Sequence, residues 1–152
     1  MRVEVKIKAT AEELYSLLMN SAKHDIERAT GQDISFEELV TGYTYKKKLT
    51  NKIGKEANAT GVLTKIEKPH IYEAEFTSGR GVNRIAYHLE PLEAGYLNVT
   101  YSEAYEPATK NAEINFKIVN FFYKKSTRKR MTNMIQMMEA HIQNEKAEEL
   151  GA

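Results

Sequence analysis

Residues 111–146 read NAEINFKIVNFFYKKSTRKRMTNMIQMMEAHIQNEK, a run without a single proline. Its second half carries Met131, Met134, Ile135, Met138 and Ile142, the i, i+3, i+4, i+7, i+11 spacing of one helical face. Lys129, Arg130, Gln136, Glu139 and Gln143 fall mainly off that stripe. A helix over the whole run spans roughly 50 Å at 1.5 Å per residue, longer than a domain of this size is wide. A buried stripe on one long terminal helix requires a sheet laid across it, and the preceding residues read as strands.

The first half of the run is out of phase with the second. Ile114, Ile118 and Phe121 form a stripe rotated by about 100° from that of Met131 on a 3.6-residue helix. Phe116, Val119 and Tyr123 lie opposite them, so the segment is apolar nearly all round. A kink or break near Lys124–Thr127 reconciles the two phases.

Upstream, Arg2–Lys8 alternates, with Val3, Val5 and Ile7 on one face and Glu4, Lys6 and Lys8 on the other, as in a half-buried antiparallel strand. Thr10 and Glu13 form a capping box that opens a helix. Its stripe is Leu14, Leu17, Leu18, Ala22 and Ile26, and Gly31 is the stop. Ser35 and Glu38 repeat the box spacing before a short turn over Ser35–Val40. From Gly42 the period becomes two, with Tyr43, Tyr45 and Leu49 of one parity. A turn at Asn51–Gly54 leads to a strand over Glu56–Glu67, which Lys68-Pro69 ends. Further strands follow at Ile71–Thr77, Val82–Glu90 and Tyr96–Glu106, separated by Gly79-Arg80-Gly81 and Pro91–Gly95, and Pro107 closes the region.

A chain of 152 residues with 41% hydrophobic and 28% charged residues fits one domain over residues 1–152. A net charge of +1 gives no global field for nucleic acid, and the absence of Cys removes disulfide and thiolate chemistry. No apolar run approaches the roughly 20 residues of a membrane span, so no transmembrane segment is expected. The opening strand pattern has no apolar h-region, which argues against secretion, and the expected location is the cytoplasm. The N-x-Thr matches at Asn58 and Asn98 are therefore read as chance.

The order strand, helix, antiparallel meander, long C-terminal helix resembles the START-like (SRPBCC) superfamily, the helix-grip fold of polyketide cyclases and lipid-transfer domains. Within it the chain looks like a small bacterial group catalogued as a domain of unknown function. The matching pieces are Gly42-Tyr43-Thr44-Tyr45 before lysines, Phe76-Thr77 before Arg80, Ile85-Ala86-Tyr87, Val99-Thr100-Tyr101-Ser102-Glu103, and Phe121-Phe122-Tyr123-Lys124-Lys125. The resemblance implies an α+β helix-grip fold, an antiparallel sheet of about six strands wrapped around the C-terminal helix, and a space between them for a ligand. Larger superfamily members have seven strands.

Tyr43, Tyr45, Tyr72, Tyr87, Tyr101 and Tyr105 share parity with apolar neighbours on their strands. If those faces point at the helix, phenol hydroxyls enter the space between, and each needs a partner. An amphipathic pocket and a tyrosine-filled core both fit that pattern. Glu103, between Tyr101 and Tyr105, is the one candidate acid or base; desolvation there raises a carboxyl pKa, whereas a strand end leaves it in water. Met131, Met134, Met137 and Met138 fit core packing or a pliable wall. The basic run Lys124–Arg130, with Lys46–Lys48, reads as a solvated face or as a patch for an anionic partner. His24, His70, His88 and His141 have no metal-ligand spacing, Gly79-Arg80-Gly81 is not a phosphate loop, and no cofactor is implied.

The expected function is binding of a small hydrophobic or amphipathic molecule between sheet and helix. Its walls would be the six tyrosines with Phe76, Ile85, Val99 and Glu103, facing Met131, Met134, Ile135 and Met138. The alternatives are a cyclase or dehydratase using Glu103 as general acid/base, and an interaction module using Phe121–Arg130. The oligomeric state is open.

Overall fold

The computed structural model describes the backbone of residues 1–50 and 56–151, and the side chains of these except 49, 50 and 110–125. The expected turn at Asn51–Gly54, the side chain of Leu49, and those of the Ile114, Phe116 and Phe121 stripes lie outside the described residues.

The alternating N-terminal segment is strand β1 (Arg2–Lys8), with Val3, Val5 and Ile7 turned inward. The Thr10–Glu13 capping box is formed, and helix α1 (Ala11–Thr30) ends at Gly31, whose φ of 71° is open to glycine without strain. A single 3₁₀ turn follows at Phe36–Glu38. The meander is β2 (Thr44–Thr50), β3 (Glu56–Glu67), β4 (Ile71–Ser78), β5 (Gly81–Pro91) and β6 (Tyr96–Pro107), closed by helix α2 (Lys110–Gly151).

The strands form one six-stranded antiparallel sheet in the order β1-β6-β5-β4-β3-β2, so β1 and β2 are its edges. Both helices lie on its inner face. A bulge between Leu63 and Lys65 inserts one residue into β3, which keeps Leu63 and Ile66 on the same side despite their odd spacing. The core joins Ile7, Leu14, Ile26, Leu63, Leu97, Val99 and Ile135, all fully buried. Each such side chain contributes roughly 1.5–3 kcal/mol of transfer free energy.

Helix α2 runs through Lys124–Thr127 without interruption, so the expected break there is not formed. The reason is that Thr127 is itself buried and extends the stripe of Met131, Ile135 and Ile142 backwards at helical spacing. The helix also bonds the last residue of the β1 edge, whose backbone would otherwise be left unpaired. The Lys8 N–H donates to the Glu139 carboxylate, and Gln143 Nε2 donates to the Lys8 carbonyl at 2.6 Å. Lys146 reaches Glu13 at 3.0 Å, tying α2 to the start of α1. Of the basic run, Arg128, Lys129 and Arg130 are exposed, while the side chains of Lys124 and Lys125 lie outside the described residues.

Candidate functional site

Strand register arranges the inner face as rows crossing the sheet. In one row Tyr72 opposes Tyr87, which opposes Tyr101. All three are buried, with ring centroids 6.0 Å and 4.9 Å apart. The next row is Leu63, Ala74, Ile85 and Glu103, and the one beyond is Tyr45, Gly61, Phe76, Asn83 and Tyr105. Gly61 permits that row to close. A Cβ there would lie 2.8 Å from the Tyr45 ring and 3.2 Å from that of Phe76, so only glycine lets Tyr45 lie across β3.

The phenol groups differ in what they bond. Tyr101 donates to Glu103 Oε2 at 3.0 Å, and Tyr45 donates to Asp25 Oδ2 at 3.2 Å. Tyr15, on α1, donates to the Ile71 carbonyl at 2.8 Å. The hydroxyls of Tyr72 and Tyr87 have no hydrogen-bond partner among the described residues. Burial, and then the charge of Glu103, push the Tyr87 phenol up to about 12. Burial raises Tyr72 and Tyr45 as well, reinforced at Tyr72 by Tyr87 and at Tyr45 by Asp25. These groups are therefore neutral donors at neutral pH. Among the described residues Asn83 Oδ1 is a buried oxygen without a partner, on the same face. A buried acceptor left unbonded costs about 1–3 kcal/mol.

The expected wall residues divide into three groups. Tyr45, Tyr72, Phe76, Ile85, Tyr87, Tyr101 and Glu103 share the inner face, with Tyr43 packed 6.3 Å from Tyr45. Val99, Met131 and Ile135 are core residues, and Met138 packs against them. Two residues are not on the wall. Tyr105 is exposed near the end of β6 and donates to the Arg80 carbonyl at 2.8 Å. Met134 is 41% exposed and points away from the sheet. With Leu17, Met137 and Met138 it lines a groove of about 540 Å³ between α1 and α2.

Three polar groups near the face escape the sequence reading. Asn83 shares the parity of Ile85 and Tyr87, so alternation alone places it inward. Lys47 shares that of Tyr45 and lies 5.2 Å over the Phe76 ring. Asp25 pairs with Lys47 Nζ at 2.8 Å, a contact made only when α1 packs on β2 and so invisible in local pattern.

Among the described residues no helix is long and apolar enough to cross a membrane. In fold the chain is similar to a conserved protein from Geobacillus kaustophilus, at 20% identity and a TM-score of 0.58 over 94% of each chain. It is also similar to a protein from Arthrobacter aurescens, at 17% identity and a TM-score of 0.57 over 94% of this chain and 85% of that one. Ara h 8.0201 shares the fold at 8% identity, with a TM-score of 0.58 over 95% of this chain and 97% of that one. No curated protein matches the chain significantly. A family model described as "Domain of unknown function (DUF3284)" matches residues 1–124, and the chain belongs to that family.

Proposed function

We propose that the chain, as a START-like helix-grip domain, binds a small apolar or amphipathic molecule between the inner face of its sheet and α2. What carries the reading is the pair of hydroxyls on the buried residues Tyr72 and Tyr87 that have no partner among the described residues, beside the buried, unpartnered Asn83 oxygen. Phenols in an apolar row are bonded by protein, water or ligand, and a ligand bearing one or two polar groups satisfies them while covering Phe76, Ile85 and the tyrosine rings. Apolar contact would supply affinity at about 25 cal/mol per Å², less the cost of immobilising the ligand. A molecule that binds only the folded chain raises its thermal midpoint with concentration. A thermal-shift screen of fatty acids, isoprenoids and aromatic polyketides should give at least one saturable rise that Tyr87→Phe weakens. A flat response across all three classes refutes the reading.

One contact favours a second reading, an enzyme of cyclase or dehydratase type. Glu103 accepts from Tyr101, and its charge acts on the Tyr87 phenol, which makes it a candidate general acid/base. Glu103→Gln keeps size and much of the hydrogen bonding but removes proton transfer. A binding module retains ligand affinity in that variant. An enzyme retains binding and loses turnover.

A further inference from the structure

Met134, Met137, Met138 and His141 line the same groove between α1 and α2. Packing explains only part of this set. Met138 packs against the core, whereas Met137 is 71% exposed and lies off the stripe of Met131, Ile135 and Ile142. The four residues occupy positions i, i+3, i+4 and i+7 of one helix, the corners of a diamond. His141 stands four residues from Met137 and three from Met138, and Met134 stands three and four residues before them. Neighbouring corners have Cβ atoms about 5–6 Å apart, and unbranched methionine side chains can turn their sulfurs to a common point.

The imidazole has a partner of its own. His141 Nε2 lies 3.1 Å from Glu145 Oε1, one turn on. In the neutral ring that contact puts the proton on Nε2 and leaves the lone pair on Nδ1. A carboxylate bonded to the far nitrogen is what fixes the tautomer and raises the basicity of a metal-binding histidine. Such an i, i+4 pair also forms on helices that bind nothing, and here three thioethers stand beside it.

Thioethers are soft donors and imidazole a borderline one, a set that suits Cu(I). Among the described residues no group of three or more His, Asp or Glu side chains is placed to hold a metal ion, and the chain has no Cys. Arg130 is the one full charge among the described residues lining the groove. It stands seven residues before Met137, roughly 10 Å along the axis and about one Debye length at 0.1 M salt.

We propose that Met137, Met138 and His141 bind Cu(I) through two sulfurs and Nδ1, with Met134 as a fourth ligand and Glu145 positioning the imidazole. The groove shares no residue with the tyrosine face, so this site is independent of ligand binding there.

Silver nitrate, a redox-inert probe of Cu(I) sites, is titrated into the full chain in chloride-free buffer and followed by methionine methyl NMR. One equivalent should shift the methyls of Met134, Met137 and Met138 and the His141 ring, leaving those of Met1, Met19 and Met131 in place. Zn(II) should give no saturable shift at these methyls. Met137→Leu and His141→Gln replace exposed side chains and should keep the metal-free thermal midpoint. Each should weaken silver binding about tenfold or more. Glu145→Ala should weaken it about tenfold and restore the mixed tautomer of a free imidazole in ring ¹⁵N spectra of the metal-free chain. Equal shifts at Met1, or shifts that never saturate, mean an adventitious ion only and overturn the site. Unchanged affinity in Met137→Leu or His141→Gln overturns it as well. Zn(II) binding as tightly as silver overturns the soft-donor assignment, and an unchanged tautomer in Glu145→Ala overturns the role given to Glu145.

Discussion

Gly61 and Asn83 sit two strands apart in one row, and each makes a sharp prediction. Gly61→Ala drives a methyl into the Tyr45 ring, and overpacking of that kind costs about 1–3 kcal/mol, readable by chemical denaturation. An unchanged midpoint would mean that Tyr45 does not lie across β3. Asn83→Leu removes a buried oxygen without a partner, so the ligand-free chain should gain about 1 kcal/mol while affinity for a bound amphiphile falls. Loss of stability would show that Asn83 is a structural hydrogen-bonding residue instead. The tyrosines add a pH dependence. Burial holds the phenols of Tyr15 and Tyr87 at about 12 and raises those of Tyr45 and Tyr72, whereas in the unfolded chain they ionise near 10. Above pH 10 the unfolded state releases these protons and the folded state does not. The stability they confer is whole below pH 10 and is lost as pH rises towards 12. Tyrosinate absorbance should therefore include a group that ionises well above pH 10 and rises together with alkaline unfolding, and ionisation of every tyrosine before unfolding would contradict it.

At the scale of elements, α2 rests on its buried stripe. Ile135→Ala should cost about 2–4 kcal/mol by cavity formation, since the side chain is fully buried, and a change below 0.5 kcal/mol would remove the helix from the core. Helices and strands were largely legible because their signals are local: the alternation of Arg2–Lys8, the Thr10–Glu13 box, Gly31, and the spacing of Met131, Ile135 and Ile142. The continuity of α2 was less so. Polar Thr127 hid the extension of the stripe, and its burial depends on what packs against it rather than on its own hydropathy. Period-two alternation placed the tyrosines and could have placed Asn83 and Lys47. It carried no information on how far along a strand the inner face stays covered, and Tyr105, near the end of β6, is exposed. The same limit applies to Met134, which shares the stripe's spacing but sits at its margin, above the groove between α1 and α2.

For the whole molecule, the sheet offers two unlike regions to the helices. Around Ile7, Leu97 and Val99 it is packed shut against α1 and α2. Towards β2 and the far ends of β3–β5, small residues (Ala59, Gly61, Ala74) alternate with aromatic rings, and the hydroxyls of Tyr72 and Tyr87 meet no described partner. Partnership across that distance was beyond the sequence, since Asp25, Lys47 and Tyr45 meet only in the folded chain. The direct test of ligand binding at this face is a backbone amide NMR titration with the most stabilising compound of the thermal-shift screen. The account predicts saturable shifts concentrated at Ala74, Phe76, Asn83, Ile85, Tyr87 and Tyr101. Shifts confined to the α1–α2 groove around Met134 and Met137, or none that saturate, would contradict it.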